Sequence, residues 1–402
     1  MIKPFIPRDA YLRKVLPFVR KDLIKVITGQ RRSGKSYFLF QIMDHIRRME
    51  SSAQILYINM ELDEFASIRD HEHLLKYIYS NTDTGKGRVY LFIDEIQDIP
   101  GFEKALRSLA AKGGYDLYIT GSNASMLAGD LSGQLSGRYV EIRMHSLSFQ
   151  EFAGFHQLAA DEETLQLYIR YGGLPYLKNL QLTDDIAFEY IQSVYNTIIL
   201  KDVVARYGIR NLHLLDNLNR YLAQHTGSLV SAKRISDFLK SQQLRYSPRV
   251  ILDYLSHLCE AYFIHKVRRA DLIGRKIFEI NEKYYFEDLG LRHLLSRFTL
   301  ADSGKVLENL VFSHMVYCGY RVHTGQIGNR EIDFWCERHD RTMYIQAAYL
   351  IADESTRERE FGNLLGIRDN FPKYVVSMDR PKGAAFKGIE HMNILDFLLK
   401  EW

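Results

Sequence analysis

A short glycine-rich string between two apolar runs constrains this chain more than any other feature. The pattern G-x-x-x-x-G-K-[ST] is matched in full by Gly29-Gln30-Arg31-Arg32-Ser33-Gly34-Lys35-Ser36. The strand-like run LIKVIT precedes it, and a helical pattern begins near Lys35. Such a loop surrounds a phosphate with backbone N–H groups at the amino end of a helix. The sequence therefore predicts a parallel α/β domain with a phosphate site.

The side chains of this loop indicate ATP and Mg²⁺ as cofactors. Lys35 would reach the β and γ phosphates, and Ser36 would offer its hydroxyl to Mg²⁺. We count the whole loop and the next residue, Tyr37, as nucleotide-binding. The alternative is a chance match on a solvated basic turn.

A second apolar run, Val89-Tyr90-Leu91-Phe92-Ile93, ends in Asp94 and Glu95. Charge at the end of a buried strand is costly unless a cation is present. Asp94 would therefore hold Mg²⁺, while Glu95 would orient and polarise the attacking water. The alternative is a strand that leaves the sheet into solvent with acidic residues at its end.

Two further features accompany these motifs. The strand Leu117-Tyr118-Ile119-Thr120 leads to Ser122 and Asn123, either of which would sense the γ-phosphate. Arg138 stands just before the run YVEIRM, where a guanidinium could neutralise transition-state charge on a nucleotide held by a neighbouring subunit. A plain surface arginine remains the alternative for Arg138.

Length and composition set the frame for the rest of the chain. The 402 residues are enough for two to four domains. The 53 Lys+Arg and 49 Asp+Glu leave a net charge of only +4, which neither indicates nor excludes binding to nucleic acid. The three cysteines show no metal-ligand spacing and fit a reducing compartment. No run reaches the roughly 18 apolar residues of a membrane span. We expect a cytoplasmic protein without a membrane partner.

Changes of pattern divide the chain into four predicted domains. Residues 1–155 alternate apolar runs with helices and form a P-loop ATPase core, because continuous apolar runs suit strands buried on both faces. Residues 156–219 read as a helical lid, residues 220–292 as a winged helix-turn-helix, and residues 293–402 as a compact α/β domain. The predicted fold class is α/β.

The chain resembles the AAA+ and STAND-related ATPases, and more closely a prokaryotic family that joins such an ATPase to a carboxy-terminal domain of unknown function. The resemblance covers most of the chain and rests on GQRRSGKS, LFIDEIQDIPGFEKALR, YITGSNASML, LSGRYVEIRMHSLSFQEF and YGGLPYL. It implies Walker B roles for Asp94 and Glu95, the first sensor at Ser122 or Asn123, and an arginine finger at Arg138.

The same resemblance bears on a turn in the lid. Gly173 and Pro175 match a glycine–proline motif that lies against adenine in STAND-like proteins. The alternative is a helix-breaking turn, and the two readings stay open.

The third segment carries a candidate DNA interface. Residues 231–240 read as an amphipathic helix, and Ser247-Pro248 is a favourable start for a recognition helix. Basic residues near that start and along the predicted wing could neutralise DNA phosphates: Arg245, Arg249, Arg268, Arg269, Arg275 and Lys276. The alternative is a packing module whose basic residues are merely solvated.

The last segment resembles the PD-(D/E)xK nuclease fold. Glu308 lies on a predicted helix, Asp333 on a strand, and Gln346 and Ala348 on the next strand. Active members have a carboxylate and a lysine at the last two positions. Asp333 and Glu308 alone are too little charge to hold Mg²⁺ well, so we expect a restriction-endonuclease-like domain without activity.

Three functions remain as hypotheses. The first is an ATPase whose nucleotide state controls what the later domains present to duplex DNA or to a protein partner. The second is a slowly hydrolysing switch of the STAND kind, and the third is an ATP-gated nuclease. ATP is the predicted ligand, and duplex DNA, an unidentified protein and a second copy of this chain are the candidate partners.

Overall fold

The glycine-rich loop lies at the edge of a parallel sheet in the computed structural model of the chain. The structure describes residues 5–126, 135, 137–274, 276–297, 302–351, 354–380 and 385–402. It divides into two compact units: unit 1 contains 1–145 with 260–262, and unit 2 contains 146–259 with 263–402. Each is described by itself below.

Unit 1 is built on strands that follow one another in parallel, as the apolar runs predict. Within the described residues the sheet order is β2-β3-β4-β1-β5. Its strands are β1 (Ile24–Thr28), β2 (Gln54–Asn59), β3 (Val89–Asp94), β4 (Tyr115–Gly121) and β5 (Tyr139–Arg143). Every residue of β1, β3 and β4 is buried, as expected for central strands covered on both faces.

The helices of unit 1 connect these strands. They are α1 (Asp9–Val15), α2 (Lys35–Met49), α3 (His71–Asn81) and α4 (Phe102–Lys112). Buried apolar residues of α3 and α4 pack with those of β3 and β4 in one core. All parallel strands end at the same edge, so the polar residues after β1, β3 and β4 gather there.

Unit 2 opens with helices. They are α5 (Phe149–His156), α6 (Glu162–Tyr171), α7 (Asp184–Thr197), α8 (Leu212–Gln224), α9 (Ala232–Ser241) and α10 (Pro248–Glu260). A π-helix, Ile198–Ala205, continues α7. Ser231 caps α9 by accepting the Arg234 N–H, and Ser247 accepts the Val250 N–H at the start of α10. Both helix starts agree with the sequence prediction.

An antiparallel hairpin and the carboxy-terminal strands share one sheet. The strands are β6 (Ile264–Asp271), β7 (Lys276–Phe286), β8 (Arg321–Ile327), β9 (Arg330–Arg338), β10 (Arg341–Ala348), β11 (Lys373–Ser377), β12 (Ala385–Phe386) and β13 (Ile389–Asn393). Their order among the described residues is β12-β13-β11-β10-β9-β8-β6-β7. The remaining helices are α11 (Leu289–Leu295), α12 (Ser303–Tyr317), α13 (Glu354–Leu365) and α14 (Ile394–Leu399).

The hairpin β6–β7 lies where the sequence predicts a wing, and β8 pairs with it. Arg269 and Asp271 of β6 stand opposite Thr324 and Gln326 of β8 in parallel register. This pairing covers an edge that a free wing would leave open to other strands. The predicted boundary at residue 292 therefore separates strands of one sheet, and the three boundaries between the four predicted domains remain predictions.

Candidate nucleotide-binding site

Two glycines shape the loop between β1 and α2. Gly29 has φ +140° and Gly34 has φ +97°, values that residues with side chains rarely adopt. A Cβ atom at Gly29 would lie 2.1 Å from the Met144 carbonyl oxygen. The backbone therefore requires glycine here, as the motif predicts.

Lys35 lies folded over this loop. Its side chain is 4% exposed, and Nζ donates to the carbonyl oxygens of Gly29 (3.0 Å) and Gln30 (3.2 Å). The same nitrogen is 3.8 Å from Glu95 Oε1. The loop thus holds an ammonium group at its mouth and keeps it within reach of the Glu95 carboxylate.

Several buried polar atoms of the loop lack a hydrogen-bond partner among the described residues. They are both amide atoms of Gln30 and the Ser33 hydroxyl oxygen. A buried polar group left unpaired costs about 1–3 kcal/mol. Phosphate oxygens would accept hydrogen bonds from the Gln30 amide and from Ser33, so the residues present fit a nucleotide.

Asp94, at the end of β3, is held by hydroxyl groups. Its Oδ1 accepts from Thr120 Oγ1 at 2.5 Å and its Oδ2 accepts from the Tyr57 hydroxyl at 3.0 Å, and Ser36 adds a third bond. Burial raises the pKa of Asp94 above its ordinary value despite these bonds. The motif's two predicted metal ligands, Asp94 and Ser36, are therefore in contact, and their oxygen donors suit Mg²⁺.

Glu95 follows in a strained backbone conformation, with φ +56°. Its N–H donates to Thr120 Oγ1 at 2.8 Å, and its carboxylate accepts from the Gln97 amide and from Ser122. Burial by itself would raise the pKa of Glu95, but Lys35, Arg31 and these two hydrogen bonds hold that pKa below its ordinary value. Glu95 is thus a fixed, ionised carboxylate.

The predicted sensor residues lie at the same edge of the sheet. Ser122 and Asn123 follow β4 and are fully buried. Ser122 contacts Glu95, while Asn123 Oδ1 accepts the Ser125 N–H at 2.7 Å. Ser122 therefore contacts the Glu95 carboxylate directly, Asn123 fixes the following turn, and a sensor role for either residue stays a prediction.

Arg138 lies at the other end of the sheet. Its carbonyl oxygen accepts the Ile24 N–H at 2.9 Å, and β5 starts beside Ile24 and ends beside Thr28. The five residues of β5, roughly 17 Å of strand, therefore separate Arg138 from the loop edge. The exposed Arg138 is not brought to the nucleotide site of its own chain.

Other residues of the loop differ in exposure. Arg31 is nearly buried and pairs with Glu61 at 3.0 Å, whereas Arg32 has φ +69° and is exposed. Tyr37 is half-exposed and meets Phe40 edge to face. The sequence analysis gave no role to Glu61, Tyr57, Thr120 and Gln97, which lie near the carboxyl ends of β2, β3 and β4.

The turn with Gly173 and Pro175 belongs to unit 2. The Gly173 N–H donates to Asp288 Oδ2 at 2.8 Å, and its carbonyl accepts from Leu147 N at 2.8 Å. A Cβ at Gly173 would lie 2.5 Å from the Leu147 carbonyl oxygen. Close packing against Leu147 therefore explains why glycine occupies position 173. A contact of Gly173 or Pro175 with adenine stays a prediction.

The arginines chosen for DNA binding are mostly at the surface of unit 2. Arg245, Arg249 and Arg268 are exposed, and Arg269 is half-buried on β6. Lys276 is exposed, and Arg275 lies outside the described residues. Their role stays a prediction.

The described helices were also compared with the length and apolarity that a membrane span needs. None of them meets both requirements.

Two family models and several known proteins match the chain. Residues 21–153 match an AAA domain, and residues 162–302 match a domain of unknown function (DUF8612). An uncharacterized protein of Haemophilus influenzae is 35% identical over 408 residues, with both chains covered in full. An uncharacterized protein of Methanocaldococcus jannaschii is 30% identical over 375 residues, which cover 88% of this chain and 80% of that protein.

A solved structure shows a weaker likeness. The Walker-type ATPase of Pyrococcus abyssi matches 73% of this chain and 96% of its own, with 16% identity and a TM-score of 0.49.

Proposed function

Since the chain belongs to the same family as these Haemophilus influenzae and Methanocaldococcus jannaschii proteins and carries an AAA-type P-loop ATPase domain, we propose that it hydrolyses ATP around Lys35 and Glu95. The products would be ADP and phosphate. The turnover would change what unit 2 offers to duplex DNA or to a protein partner.

One observation carries the proposal most directly: the loop holds buried polar groups that need a ligand. Gln30 and Ser33 are unpaired in the described part of the chain, and Lys35 donates only to carbonyl oxygens of its own loop. A triphosphate would bond these groups and draw the Lys35 ammonium away from the loop. Binding would thereby remove the cost of leaving the two donors, Gln30 Nε2 and the Ser33 hydroxyl, unpaired.

The residues after β3 would then divide the remaining work. Ser36 and Asp94 would hold Mg²⁺, and bound Mg²⁺ supplies positive charge that offsets the phosphate oxygens. Glu95 would orient the attacking water, since its carboxylate is ionised and fixed by Ser122 and Gln97. Phosphoryl transfer needs this positioning more than covalent chemistry.

Steady-state phosphate release tests the assignment of Glu95. Glu95→Gln should lower the rate about 10²–10⁴-fold, the usual worth of such a group. Glu64→Gln is the matched control, because Glu64 is an exposed glutamate of the same unit. Turnover of Glu95→Gln that equals wild type would contradict the assignment.

A second candidate function is a slow, switch-like ATPase, and the Gln97 contact favours it. Gln97 donates to the Glu95 carboxylate, so water and Gln97 would compete for the same oxygen. Gln97→Ala should then raise the turnover rate severalfold while ATP affinity stays unchanged. A lower rate would mean that Gln97 positions Glu95 for hydrolysis.

In both candidate functions, the nucleotide state of unit 1 would control what unit 2 binds. We infer a winged helix-turn-helix from α9, α10 and the hairpin β6–β7, and a nuclease-like fold without activity in the carboxy-terminal region. Phosphate release with and without duplex DNA separates the two outputs, because a DNA-directed ATPase should turn over faster with DNA. An unchanged rate favours a protein partner, which Glu95→Gln should retain from the native cell in its ATP-bound form.

The remaining assignments belong to the same proposal. The three domain boundaries, after residues 155, 219 and 292, and a cytoplasmic location are inferred from the sequence pattern. A homo-oligomer is inferred from Arg138, which needs a neighbouring chain to meet a nucleotide.

A further inference from the structure

A buried lysine of unit 2 lies among three carboxylates. Lys283 of β7 has a side chain only 3% exposed. Its Nζ is 2.6 Å from Glu308 Oε1, 2.8 Å from Glu331 Oε1 and 3.7 Å from Asp333 Oδ1. The sequence reading named Glu308 and Asp333 as a weak remnant of a metal site and missed both Glu331 and Lys283.

Two elements other than β7 supply the carboxylates. Glu331 and Asp333 are two residues apart on β9 and so point to the same face of the sheet, while Glu308 comes from α12. The Ala347 N–H donates to Asp333 Oδ2 at 2.8 Å, and the other oxygen, Oδ1, is the one nearest Lys283. The Tyr285 hydroxyl donates to Glu308 Oε1 at 2.5 Å.

The charge balance of this cluster differs from that of an ordinary ion pair. Three carboxylates face one ammonium, so the cluster carries an excess of at most two negative charges. Burial and the neighbouring Glu308 raise the pKa of Asp333 well above its ordinary value, which is the expected effect of crowding carboxylates around a single cation. Convergence of carboxylates from separate elements on one point is the arrangement that hard divalent cations use. Gln346 is also buried beside Asp333, and its Oε1 accepts the Asp333 N–H. Because its side chain carries no charge, only the three carboxylates attract the cation.

We propose that the ammonium group of Lys283 occupies a divalent-cation position in unit 2, so that the carboxylates of Glu308, Glu331 and Asp333 bind the chain's own lysine in place of a metal ion. Removal of the lysine would leave three carboxylates around one space, a site suited to Mn²⁺ or Mg²⁺. The proposal concerns unit 2 alone and does not depend on ATP hydrolysis.

Electrostatics support this reading of the contacts. Burial by itself would lower the pKa of Lys283, but Glu308, Asp333 and Glu331 raise that pKa well above its ordinary value. The three carboxylates therefore hold Lys283 in its charged, ammonium form. Gly227 packs against the Glu308 carboxylate, because a Cβ atom at this position would lie only 2.8 Å from Glu308 Oε2.

Manganese binding to the full chain tests the proposal, with Lys283→Met as the central variant. Without nucleotide, any change that Mn²⁺ causes in the melting temperature of the wild type should be the same in Asp333→Asn. It should raise that of Lys283→Met by about 3–8 °C at ten to a hundred times the dissociation constant. Adding Asp333→Asn to Lys283→Met should remove this shift.

Lys266→Met is the matched control, since Lys266 also pairs with a glutamate, at 3.2 Å, but is 40% exposed. The Lys266→Met variant leaves the phosphate loop of unit 1 unchanged. Its melting temperature should respond to Mn²⁺ as that of the wild type does. If Lys283→Met folds only with Mn²⁺ present, the proposal is supported, and the double variant with Asp333→Asn should fold in EDTA.

Two results would overturn the proposal. A wild-type shift with Mn²⁺ that Asp333→Asn abolishes would mean that the lysine and a metal share the site, as in an active nuclease. A Lys283→Met protein that folds in EDTA and ignores Mn²⁺ would make the cluster a purely structural ion network.

Discussion

The two units each place a buried lysine beside carboxylates, but they complete its surroundings differently. Lys35 in unit 1 donates to carbonyl oxygens of its own loop and stays 3.8 Å from Glu95. Lys283 in unit 2 is within 2.8 Å of two carboxylates and 3.7 Å of a third. The first lysine is held in reserve for a ligand, whereas the second already has its partners. A buried lysine can therefore belong to a ligand-binding site, as Lys35 does, or occupy the place of a ligand, as we propose for Lys283.

A nucleotide site that is incomplete within its own chain should depend on a second chain. Arg138 lies at the far end of β5, so we expect it to act on a neighbour's nucleotide, with a usual worth of about 10³–10⁵ in rate. Arg138→Ala and Lys35→Ala should each be inactive alone, and a mixture of the two should regain some phosphate release. A mixture that assembles but stays inactive would make Arg138 structural.

The stabilities of the two lysine variants should separate the two sites. Lys283→Met should lower the free energy of unfolding by about 3–5 kcal/mol, because it leaves buried carboxylates without their cation. Lys35→Met should cost less, about 1–3 kcal/mol without nucleotide, since it removes two hydrogen bonds to carbonyl oxygens and one 3.8 Å contact with Glu95, which keeps its bonds to Gln97 and Ser122. Denaturant titration in EDTA measures both. Trp335 and Trp402 report on unit 2, and circular dichroism reports on both units.

Equal losses of stability for the two variants would remove the distinction. A Lys283 variant as stable as wild type would show that solvent already satisfies the three carboxylates.

A further buried carboxyl of unit 2 has backbone partners in place of a lysine. Asp288 accepts N–H groups from Gly173, Gly290 and Leu291, and burial raises its pKa to about 6. The folded state therefore holds this proton more tightly than the unfolded chain. Stability should fall by about 3 kcal/mol at most as pH rises from 4 to 6, and then level off.

Asp288→Asn should lose this pH dependence, whereas Asp237→Asn, at an exposed position of α9, should keep it. Unfolding midpoints at pH 4, 5, 6 and 7 provide the measurement. An Asp288→Asn protein with the wild-type pH profile would mean that another group titrates.

DNA binding, if unit 2 provides it, should come from surface arginines and not from the filled cation position. Reversing the charge of Arg249, Arg268 and Arg269 should lower the slope of log affinity against log salt by about one for each DNA phosphate that an arginine no longer neutralises. Asp333→Asn should leave that slope as it is. A wild type without salt-sensitive binding to duplex DNA would favour the packing-module reading.

The sequence was most informative where function depends on neighbouring residues in the chain. Gly29, Lys35 and Ser36 lie within one loop, and Asp94 and Glu95 follow one apolar strand, so local pattern was enough to predict the edge at which they meet. Tyr57 and Thr120 reach Asp94 through the register of β2, β3 and β4. That register depends on pairing across the sheet, which a single sequence does not state.

The cluster around Lys283 was hidden for a related reason. Fifty residues separate Lys283 from Asp333, and only the folding of β7, α12 and β9 brings them together. A signal existed, because Lys283 interrupts the apolar end of the run KIFEINEKYYF, and charge in a buried strand needs a partner. The lysine beside Asp333 therefore comes from β7, fifty residues earlier in the chain.

ATP affinity of Lys35→Ala and of Glu95→Gln, measured side by side at equilibrium, tests most directly whether unit 1 holds a lysine in reserve for nucleotide. Lys35→Ala should lose ATP binding, because it removes the buried ammonium at the mouth of the loop. Glu95→Gln should bind ATP about as tightly as wild type while hydrolysing it far more slowly. Equal loss of binding in both variants, or wild-type affinity in Lys35→Ala, would contradict the division of roles between the two residues.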